Sequence, residues 1–473
     1  YVLATLHVSC AIWVTLHAIL RRREVSTAIA WIGLAWLSPL LGSIAYWMFG
    51  INRIQRKGVS LGLIQEWDHT PEQTLTNEDQ QRIHRGSSEH PTFLGLVHLG
   101  DKVIGSDLLL GNSITPLING DEAYPEMLKA IDQAKVSVAL SSYIFDADRV
   151  GEQFLEALKS AQQRGLEVRV MIDGVGARYS KPSMVRRLQE TGIKVAAFLP
   201  SKAPWKMAFA NLRNHRKILV TDGEIGFTGG TNIREGHCLD LDPSFPVACL
   251  HFKVEGPVVC DLQEAFAIDW AFSTQEKLSG PTWFPKLERS GNILSRGVPD
   301  GPDEDIDKIN EMILGALAVA KERARIVTPY FLPSRSIIDA LCVAAMRGVE
   351  VDIILPSKNN IAIMNWAVVP QLPHLLEKGV NVYISPAPFE HTKLFVVDGI
   401  WSLIGSTNWD PRSMRLNFEY NLECYSQELA AALDKQIDQK ISRAEQVTIE
   451  RLEQRSTLVR LRDGAAQLMS PYL

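Results

Sequence analysis

Two long apolar stretches open the chain. Residues 1–20 are mostly apolar, an Arg-Arg-Arg-Glu run interrupts at 21–24, and residues 27–49 are apolar again without a charged side chain. A helix needs about 20 apolar residues to cross a bilayer core, and both stretches reach that length. We therefore expect residues 1–57 to form a transmembrane hairpin of two helices. A signal peptide followed by a buried helix is the weaker alternative, because the first stretch lacks a basic start and a cleavage site.

The charges around this hairpin do not decide its orientation. Two crossings would place the N-terminus and the large polar part of the chain on the same side of the membrane. Three arginines lie in the hairpin turn, and three basic residues (Arg53, Arg56 and Lys57) follow the second stretch. Because the positive-inside rule compares these two groups and they are equal, the side that the polar part faces stays open.

Beyond a polar, irregular connector at residues 58–112, the pattern of helices and strands repeats. Segments with helical spacing lead into short runs rich in β-branched residues, and two of the helices end in an Arg-Gly pair where a left-handed cap is favoured. The paired segments are helix 123–131 with strand 136–140, helix 309–317 with strand 324–327, helix 154–163 with strand 166–172, and helix 337–346 with strand 349–355.

Strands that alternate with helices of this length indicate the α/β fold class. We expect two similar lobes, at residues 113–288 and 289–473, each a mixed sheet flanked by helices, which together form a pseudo-dimer. After residue 428 the pattern becomes helical and heavily charged, and we expect that charged face to be solvated.

Composition narrows the class of protein. Hydrophobic residues make up 46% and charged residues 22% of the 473 positions, which is typical of globular domains. The formal net charge of -5 gives no general attraction to nucleic acid. The six cysteines are scattered without a Cys-x-x-Cys pair, so neither a disulfide framework nor a zinc site is expected. We expect no metal and no cofactor.

A motif of five residues occurs twice with identical spacing. The first copy consists of His215, Lys217, Asp222, Gly230 and Asn232, and the second of His391, Lys393, Asp398, Ser406 and Asn408. On an extended strand, residues two apart share a face, so each histidine and its lysine should point the same way. A lysine that faces inward needs an anionic partner, and phosphate is a natural one. We expect backbone N–H groups at the glycine turns and the asparagine amides to bind phosphate, and the aspartates to fix local structure.

The doubled His-x-Lys-x4-Asp motif resembles the phospholipase D superfamily and, within it, the bacterial cardiolipin synthases. The resemblance spans nearly the whole chain. Besides the motifs, the segments that carry it are 46–50, 214–217, 254–257, Phe266, 269–270, 329–331, 410–413, 417–419 and 470–473. It implies that both lobes contribute to one site at the surface of a bacterial cell membrane of the inner-membrane type, held there by a multi-pass hairpin.

The resemblance also implies a reaction, with phosphatidylglycerol and other membrane lipids as partners. One histidine attacks a phosphatidylglycerol to form a phosphatidyl-histidine and release glycerol, and the other moves the proton. A second phosphatidylglycerol then accepts the phosphatidyl group to give cardiolipin. By analogy we assign His215 as the nucleophile and His391 as the acid and base. The oligomeric state stays open.

The two copies differ in ways that affect this assignment. Gly230 stands where the second copy has Ser406, so the first motif lacks a hydroxyl group. Relatives place a carboxylate downstream of each histidine, and Glu419 fills that position in the second lobe. In the first lobe the position is Cys249, and a thiol orients an imidazolium poorly. We therefore expect His215 to be less well supported, unless Asp240 or Asp242 substitutes.

Other functions fit the same motifs. A phospholipase D, or another phosphatidyltransferase that uses a different alcohol, would differ only in the acceptor. The hairpin and the negative net charge disfavour a nuclease. A catalytically weak membrane-tethered binding protein is disfavoured because both copies retain their polar residues. Residues 205–209 (Trp-Lys-Met-Ala-Phe) fit an interfacial loop and a core-packing turn equally well.

Overall fold

The structure of the protein is a computed structural model that describes residues 2–21, 25–38, 40–47, 93–200, 212–302 and 305–470. The segment 205–209 and most of the connector lie outside these residues. The chain divides into two compact units, formed by residues 1–64 with 199–212 and by residues 65–198 with 213–473. Each unit is described separately below.

The N-terminal unit contains three helices, α1 (Val2–Arg21), α2 (Val25–Leu37) and α3 (Leu41–Ala45). Small residues of α1, such as Ala11 and Ala18, are fully buried against α2, which allows close approach of the two backbones. Polar side chains bridge the helices: Trp36 donates to Thr15 at 3.0 Å. The outward faces are apolar, as expected of helices that contact lipid.

The two expected membrane spans differ in length. Among the described helices, one segment, Val2–Leu20, is long and apolar enough to cross a membrane. The second apolar helical segment, Ala28–Leu37, is shorter. The first span of the hairpin is therefore supported by the structure, and the second span stays a prediction.

The larger unit is an α/β body. Its helices are α4 (Leu94–Val103), α5 (Asn119–Gln133), α6 (Arg149–Gln163), α7 (Met184–Glu190), α8 (Val259–Thr274), α9 (Lys308–Val319), α10 (Arg335–Met346), α11 (Ala362–Val368), α12 (Leu372–Glu377), α13 (Pro411–Arg415), α14 (Gln427–Ile441), α15 (Ile449–Glu453) and α16 (Thr457–Leu468). Its strands are β1 (Leu109–Ile118), β2 (Ser137–Ser142), β3 (Glu167–Asp173), β4 (Lys194–Phe198), β5 (Arg213–Asn214), β6 (Ile218–Thr221), β7 (Ile225–Gly229), β8 (Val247–Ala248), β9 (Leu250–Glu255), β10 (Ile293–Asp300), β11 (Arg323–Val327), β12 (Glu350–Pro356), β13 (Asn381–Ser385), β14 (Phe389–Glu390), β15 (Leu394–Val397), β16 (Trp401–Gly405), β17 (Asn417–Tyr425) and β18 (Glu445–Gln446).

Most strands join in one continuous sheet whose two halves repeat each other. The order is β18-β13-β12-β11-β15-β16-β17-β10-β1-β9-β7-β6-β2-β3-β4. Within it, β4-β3-β2-β6-β7-β9-β1 corresponds strand by strand to β13-β12-β11-β15-β16-β17-β10, so the pseudo-twofold axis passes between β1 and β10. Strands β2, β3 and β4 run parallel in the first half, and β11, β12 and β13 run parallel in the second. The other neighbouring strands of each half pair antiparallel. The prediction of two similar lobes with mixed sheets is confirmed.

Each lobe has its own hydrophobic core. The core of the first lobe lies between its sheet and helices α5 and α6. The core of the second lobe lies around α9 and α10, and it also contains Phe93, Leu96 and Ile104. These three residues belong to the end of the predicted connector, so helix α4 packs as part of the second lobe although it precedes the first in sequence.

Candidate active site

Short strand pairs between the lobes position the two histidines. His215 follows β5, which pairs with β17 of the second lobe, and its N–H donates to the carbonyl of Phe418 at 2.8 Å. His391 follows β14, which pairs with β8 of the first lobe, and its N–H donates to the carbonyl of Ala248 at 2.7 Å. Each histidine is therefore held by backbone from the opposite lobe, just before the strand (β6 or β15) that separates the lysine of its motif from the aspartate.

The two motif copies form one site. The Nδ1 atom of His391 lies 3.1 Å from the carbonyl oxygen of Gly230, which belongs to the first copy. The charge of Lys393 lowers the pKa of His215, and that of Lys217 lowers the pKa of His391, in addition to the larger effect of burial. The expectation that the lobes contribute one motif each to a shared site agrees with this geometry.

The carboxylate of Glu419 contacts the histidine of the other lobe. Both its oxygens lie 2.9 Å from Nδ1 of His215. Ser406 donates to the same carboxylate at 2.5 Å, and Asn417 donates to it at 3.0 Å. Burial alone would raise the pKa of Glu419, but the hydrogen bond from the His215 ring, the charge of Lys217 and the hydrogen bond from Ser406 hold it below its ordinary value. Glu419 is therefore an anion that accepts from the His215 ring.

Cys249 occupies the corresponding position beside His391. Strand register proves the equivalence, because Gly229 pairs with His251 in the first lobe as Gly405 pairs with Asn421 in the second. The Sγ atom of Cys249 lies 3.9 Å from Nδ1 of His391, and the thiol is buried, which raises its pKa. His391 thus has a carbonyl and a thiol where His215 has a carboxylate.

The prediction that each partner serves the histidine of its own lobe is wrong. His215 is the better supported histidine and His391 the less well supported one, so neither Asp240 nor Asp242 is needed as a substitute for Cys249. The reason is the exchange of short strands between the lobes, which carries each histidine to the downstream strand of its neighbour.

Both imidazoles are uncharged at neutral pH. Burial lowers the pKa of His215 to about 4, although Glu419 opposes this shift. Burial, with Lys393 and His237 nearby, lowers the pKa of His391 well below its ordinary value. Because Nδ1 of each ring faces an acceptor, the Nδ1–H tautomer is favoured and Nε2 keeps its lone pair. An imidazole in that form can act as a nucleophile or as a base.

The two lysines are buried and held in the same way. Each Nζ donates to the carbonyl of the histidine two residues earlier, Lys217 to His215 and Lys393 to His391, both at 2.6 Å. Burial lowers the pKa of Lys217 to about 7 and that of Lys393 to about 8. A pair of buried ammonium groups with one carboxylate among them favours an incoming anion.

The motif aspartates stabilise turns at the far end of their strands. Asp222 accepts from the backbone N–H groups of residues 135–137, with distances from 2.7 to 3.1 Å. Asp398 accepts in the same way from residues 321–323, at 2.8 to 2.9 Å. Asp222 and Asp398 therefore fix local structure, as predicted, and contact neither motif histidine through these bonds.

The expected backbone donors to phosphate are already used. The N–H of Gly230 donates to Leu250 at 3.2 Å, and that of Ser406 donates to Tyr420 at 3.0 Å, so these groups belong to the sheet and the prediction is wrong for them. The Ser406 hydroxyl binds Glu419. A Cβ atom at Gly230 would lie 2.5 Å from Sγ of Cys249, so glycine and cysteine fit together in the first lobe.

The two asparagines differ in their bonds. The Nδ2 group of Asn408 donates to the hydroxyl of Ser413 at 3.0 Å, so this amide nitrogen faces α13. Asn232 accepts at Oδ1 from the N–H of Ile144 at 3.2 Å. The amide nitrogen of Asn408 is therefore used within the protein, whereas the bond of Asn232 uses its amide oxygen.

Three residues beside the site were not among the predicted ones. The centre of the Tyr143 ring lies 5.2 Å from that of the His215 ring. The Nζ atom of Lys217 lies 5.6 Å from the centre of the Tyr143 ring. The ring of His237 lies 6.1 Å from that of His391. Asn417 supports Glu419. Tyr143 directly follows β2, a strand of the repeat, which is a usable sequence signal, whereas His237 ends a short 3-10 helix, Glu235–His237, that no motif marks.

Comparison with known proteins places this geometry in a family. A family model described as "Cardiolipin synthase, PLD-like domain" matches residues 127–241 and 313–441. A second model, "Phospholipase_D-nuclease N-terminal", matches residues 10–50. The first of these models covers more than half of the chain.

Full-length relatives and a solved structure agree with the family match. Cardiolipin synthase 2 of Staphylococcus epidermidis is 30% identical over 461 residues, which cover 96% of this chain and 94% of the relative. The major cardiolipin synthase of Bacillus subtilis is 30% identical over 462 residues, 96% of this chain and 95% of that protein. The crystal structure of phosphatidylserine synthase from Haemophilus influenzae covers 80% of this chain and 100% of its own, with a TM-score of 0.63 and 16% identity, which supports the fold. The resemblance that the motifs indicate is confirmed.

Proposed function

The chain belongs to the cardiolipin synthase family of phosphatidyltransferases, and we propose that it transfers the phosphatidyl group of one phosphatidylglycerol to the glycerol hydroxyl of another, giving cardiolipin and glycerol. The observation that supports this most is the pairing of two neutral, buried imidazoles with two buried lysines in one site built by both lobes. One imidazole can bond to phosphorus while the other moves the proton.

In the first half-reaction, Nε2 of His215 attacks the phosphorus of the donor lipid. As the N–P bond forms and the P–O bond to glycerol breaks, the His215 ring becomes cationic, and its Nδ1–H remains bonded to the Glu419 carboxylate. That carboxylate stabilises the positive ring of the phosphatidyl-histidine. This is a physical reason to retain His215 as the nucleophile, beyond analogy.

His391 supplies the proton to the departing glycerol oxygen. Burial, and after it the lysine charges, hold the pKa of His391 down. The phosphodiester anion offsets the lysine charges and raises this pKa, so the ring can carry a proton once substrate is bound. In the second half-reaction His391 removes the proton from the acceptor hydroxyl, whose oxygen attacks phosphorus as the N–P bond breaks. Lys217, Lys393 and the Asn232 amide stabilise the negative oxygens in both steps.

We infer that the N-terminal helices hold this site at a membrane as a two-span hairpin. Helix α1 has the length and composition of one span, and α2 with the residues after it would supply the second. The inner-membrane location, the multi-pass topology and the domain boundaries at residues 57, 112 and 288 are part of this proposal. Cysteine labelling of Tyr1→Cys and Glu24→Cys variants from each side of sealed vesicles tests it. Two spans place residue 1 on the side of the catalytic body and residue 24 on the opposite side, and labelling of both residues from one side would contradict the hairpin.

The proposed function predicts the products of a simple assay. Purified full-length protein incubated with phosphatidylglycerol in nonionic detergent should give cardiolipin and glycerol in equal amounts, measured by lipid mass and by free glycerol. The doubly substituted variant His215→Ala/His391→Ala is the control. Phosphatidic acid as the main product would instead indicate a hydrolase, and no turnover with any phospholipid would indicate a binding protein.

The buried titrating groups predict a bell-shaped pH profile. With a phosphatidyl ester of p-nitrophenol as donor, the leaving group needs no proton from His391. Because the pKa of His215 is about 4, kcat/KM for this donor should rise as pH increases through this value and the ring becomes neutral. Because the pKa values of Lys217 and Lys393 are about 7 and about 8, kcat/KM should fall over this range as the ammonium groups lose their protons. A profile that stays flat up to pH values well above 8, in protein shown to be folded, would contradict the assigned role of the lysines.

A further inference from the structure

The second lobe contains a cavity that the motif residues do not line. Its volume is about 490 Å³, within the range of small-molecule sites. Most of its wall is apolar, and α11, the turn after it and α12 contribute Met364, Val368 and Leu372 to it. A cavity with such a wall favours an aliphatic group over a polar one.

Arginines complete the wall on one side. Arg455 and Arg462 both line the cavity, and both pair with the buried carboxylate of Asp463, at 2.8 and 2.7 Å. Two guanidinium groups thus share one carboxylate, which leaves one positive charge beside an apolar space. The guanidinium of Arg462 also lies 4.5 Å from the ring centre of Trp366, which fixes its position. A planar, fixed guanidinium matches the oxygens of a phosphate.

The helix that carries Arg462 also exposes apolar side chains. Leu458, Leu461 and Leu468 of α16 are between 64% and 81% exposed and lie three and seven residues apart, so they share one face. Leucines and arginines together on an exposed helix are typical of helices that lie on an anionic lipid surface. Cavity, charge and exposed leucines thus point to the same class of ligand.

A chain of aromatic rings connects the cavity to the active site. Tyr330 lines the cavity, and its ring lies 6.4 Å from that of Phe389. The ring of Phe389 lies 5.7 Å from that of His391, the residue to which we assign the removal of the acceptor proton. One aromatic ring, that of Phe389, therefore lies between the cavity wall at Tyr330 and His391.

We propose that this cavity binds the acceptor phospholipid, with one acyl chain against the apolar wall and its phosphate at Arg455 and Arg462. The identity of the ligand as an anionic phospholipid follows from the cavity, and its role as acceptor rests on the proposed function. The acceptor hydroxyl would then reach His391 while the donor phosphate lies between the lysines.

Binding is tested with full-length His215→Ala protein in nonionic detergent, so that no turnover occurs. Lysophosphatidylglycerols from octanoyl to palmitoyl compete with a fluorescent lysophosphatidylglycerol. Affinity should rise by up to about fourfold per added methylene until the cavity is full, and then level off. Affinity that does not depend on chain length, or that rises equally for a Val368→Trp variant with a filled cavity, would overturn the proposal.

Charge recognition and the acceptor role need a second pair of measurements. Arg455→Gln/Arg462→Gln should bind the anionic lipid about tenfold or more weakly and bind a monoacylglycerol as before, whereas Arg460→Gln, an exposed neighbour outside the cavity wall, should not change. In otherwise active protein, the double variant should lower the ratio of cardiolipin to phosphatidic acid. Unchanged binding overturns the site. Weaker binding with an unchanged product ratio overturns the acceptor role, and absence of cardiolipin from the unsubstituted protein would refute the proposed function while the binding result stands.

Discussion

His391→Ala should release one equivalent of leaving group and then stop, when the substrate is a phosphatidyl ester of p-nitrophenol. Nitrophenolate departs without a proton, so the first half-reaction needs only the His215 nucleophile. The second half-reaction needs a base to activate the acceptor, and His391 is the assigned base. With phosphatidylglycerol as donor, whose leaving group requires a proton, the same variant should lose about 10²–10⁴-fold in kcat. Stopped-flow absorbance measures the burst, and mass analysis of the trapped protein locates the phosphatidyl group.

The comparison variants make this result decisive. His215→Ala should give no burst with either substrate, because among the described residues of the site His391, the other motif imidazole, has a carbonyl and not a carboxylate at Nδ1. His374→Ala, in a partly exposed position on α12, should behave as the unsubstituted protein. A burst from His215→Ala with the phosphatidyl group on His391 would show that His391 is the nucleophile. Absence of a burst from both variants would contradict a covalent intermediate.

Much of the fold is predictable from the sequence because the same pattern of helices and strands occurs in both lobes. The two Arg-Gly pairs at Gly165 and Gly348 have φ values of 91° and 94°, so they do end equivalent helices in the left-handed conformation that favours glycine. Each is followed by an equivalent parallel strand, β3 or β12. A pattern that occurs twice at the same place in a lobe is stronger evidence than one occurrence.

The contact of each motif histidine with a side chain of the opposite lobe is not predictable in this way. Spacing along the chain places Glu419 close to the second motif, and within the lobe that is correct: it lies on the strand that pairs with β16. The contact with His215 depends on the two-residue pairing of β5 with β17, which joins residues more than 200 positions apart. Strands this short have no periodic pattern, so only the assembled lobes reveal the exchange.

The exchange of short strands also explains why the differences between the two motif copies occur in pairs. Ser406 and Glu419 form one hydrogen-bonded pair around His215, and Gly230 and Cys249 form one packed pair around His391. A serine at Gly230 would overlap the thiol, and a glycine at Ser406 would remove a donor from the carboxylate. The differences are therefore two alternative solutions for supporting an imidazole, one charged and one neutral, rather than the loss of parts from one copy.

Glu419→Gln should lower kcat by about 10²–10⁴-fold and slow the burst with the p-nitrophenyl substrate. The amide keeps the shape of the side chain and can still accept from Nδ1 of His215, but it cannot neutralise the positive ring of the phosphatidyl-histidine. The matched variant at the other histidine is Cys249→Ser. Since the thiol lies 3.9 Å from the ring and is uncharged, Cys249→Ser should change kcat by less than about tenfold and leave the burst rate unchanged.

The difference in burst rate between these two variants tests whether Glu419 supports the histidine of the other lobe. If Glu419 supported His391, as its place in the second lobe suggests, Glu419→Gln would leave the burst intact and slow only the steady state. Thermal unfolding of both variants, followed by circular dichroism, separates lost chemistry from lost structure, because Glu419 is fully buried and accepts from Ser406 and Asn417 as well as from His215. A slower burst in Glu419→Gln at an unchanged melting temperature can only arise from the step in which His215 bonds to phosphorus, and equal effects of the two substitutions would contradict the assignment of His215 as the nucleophile.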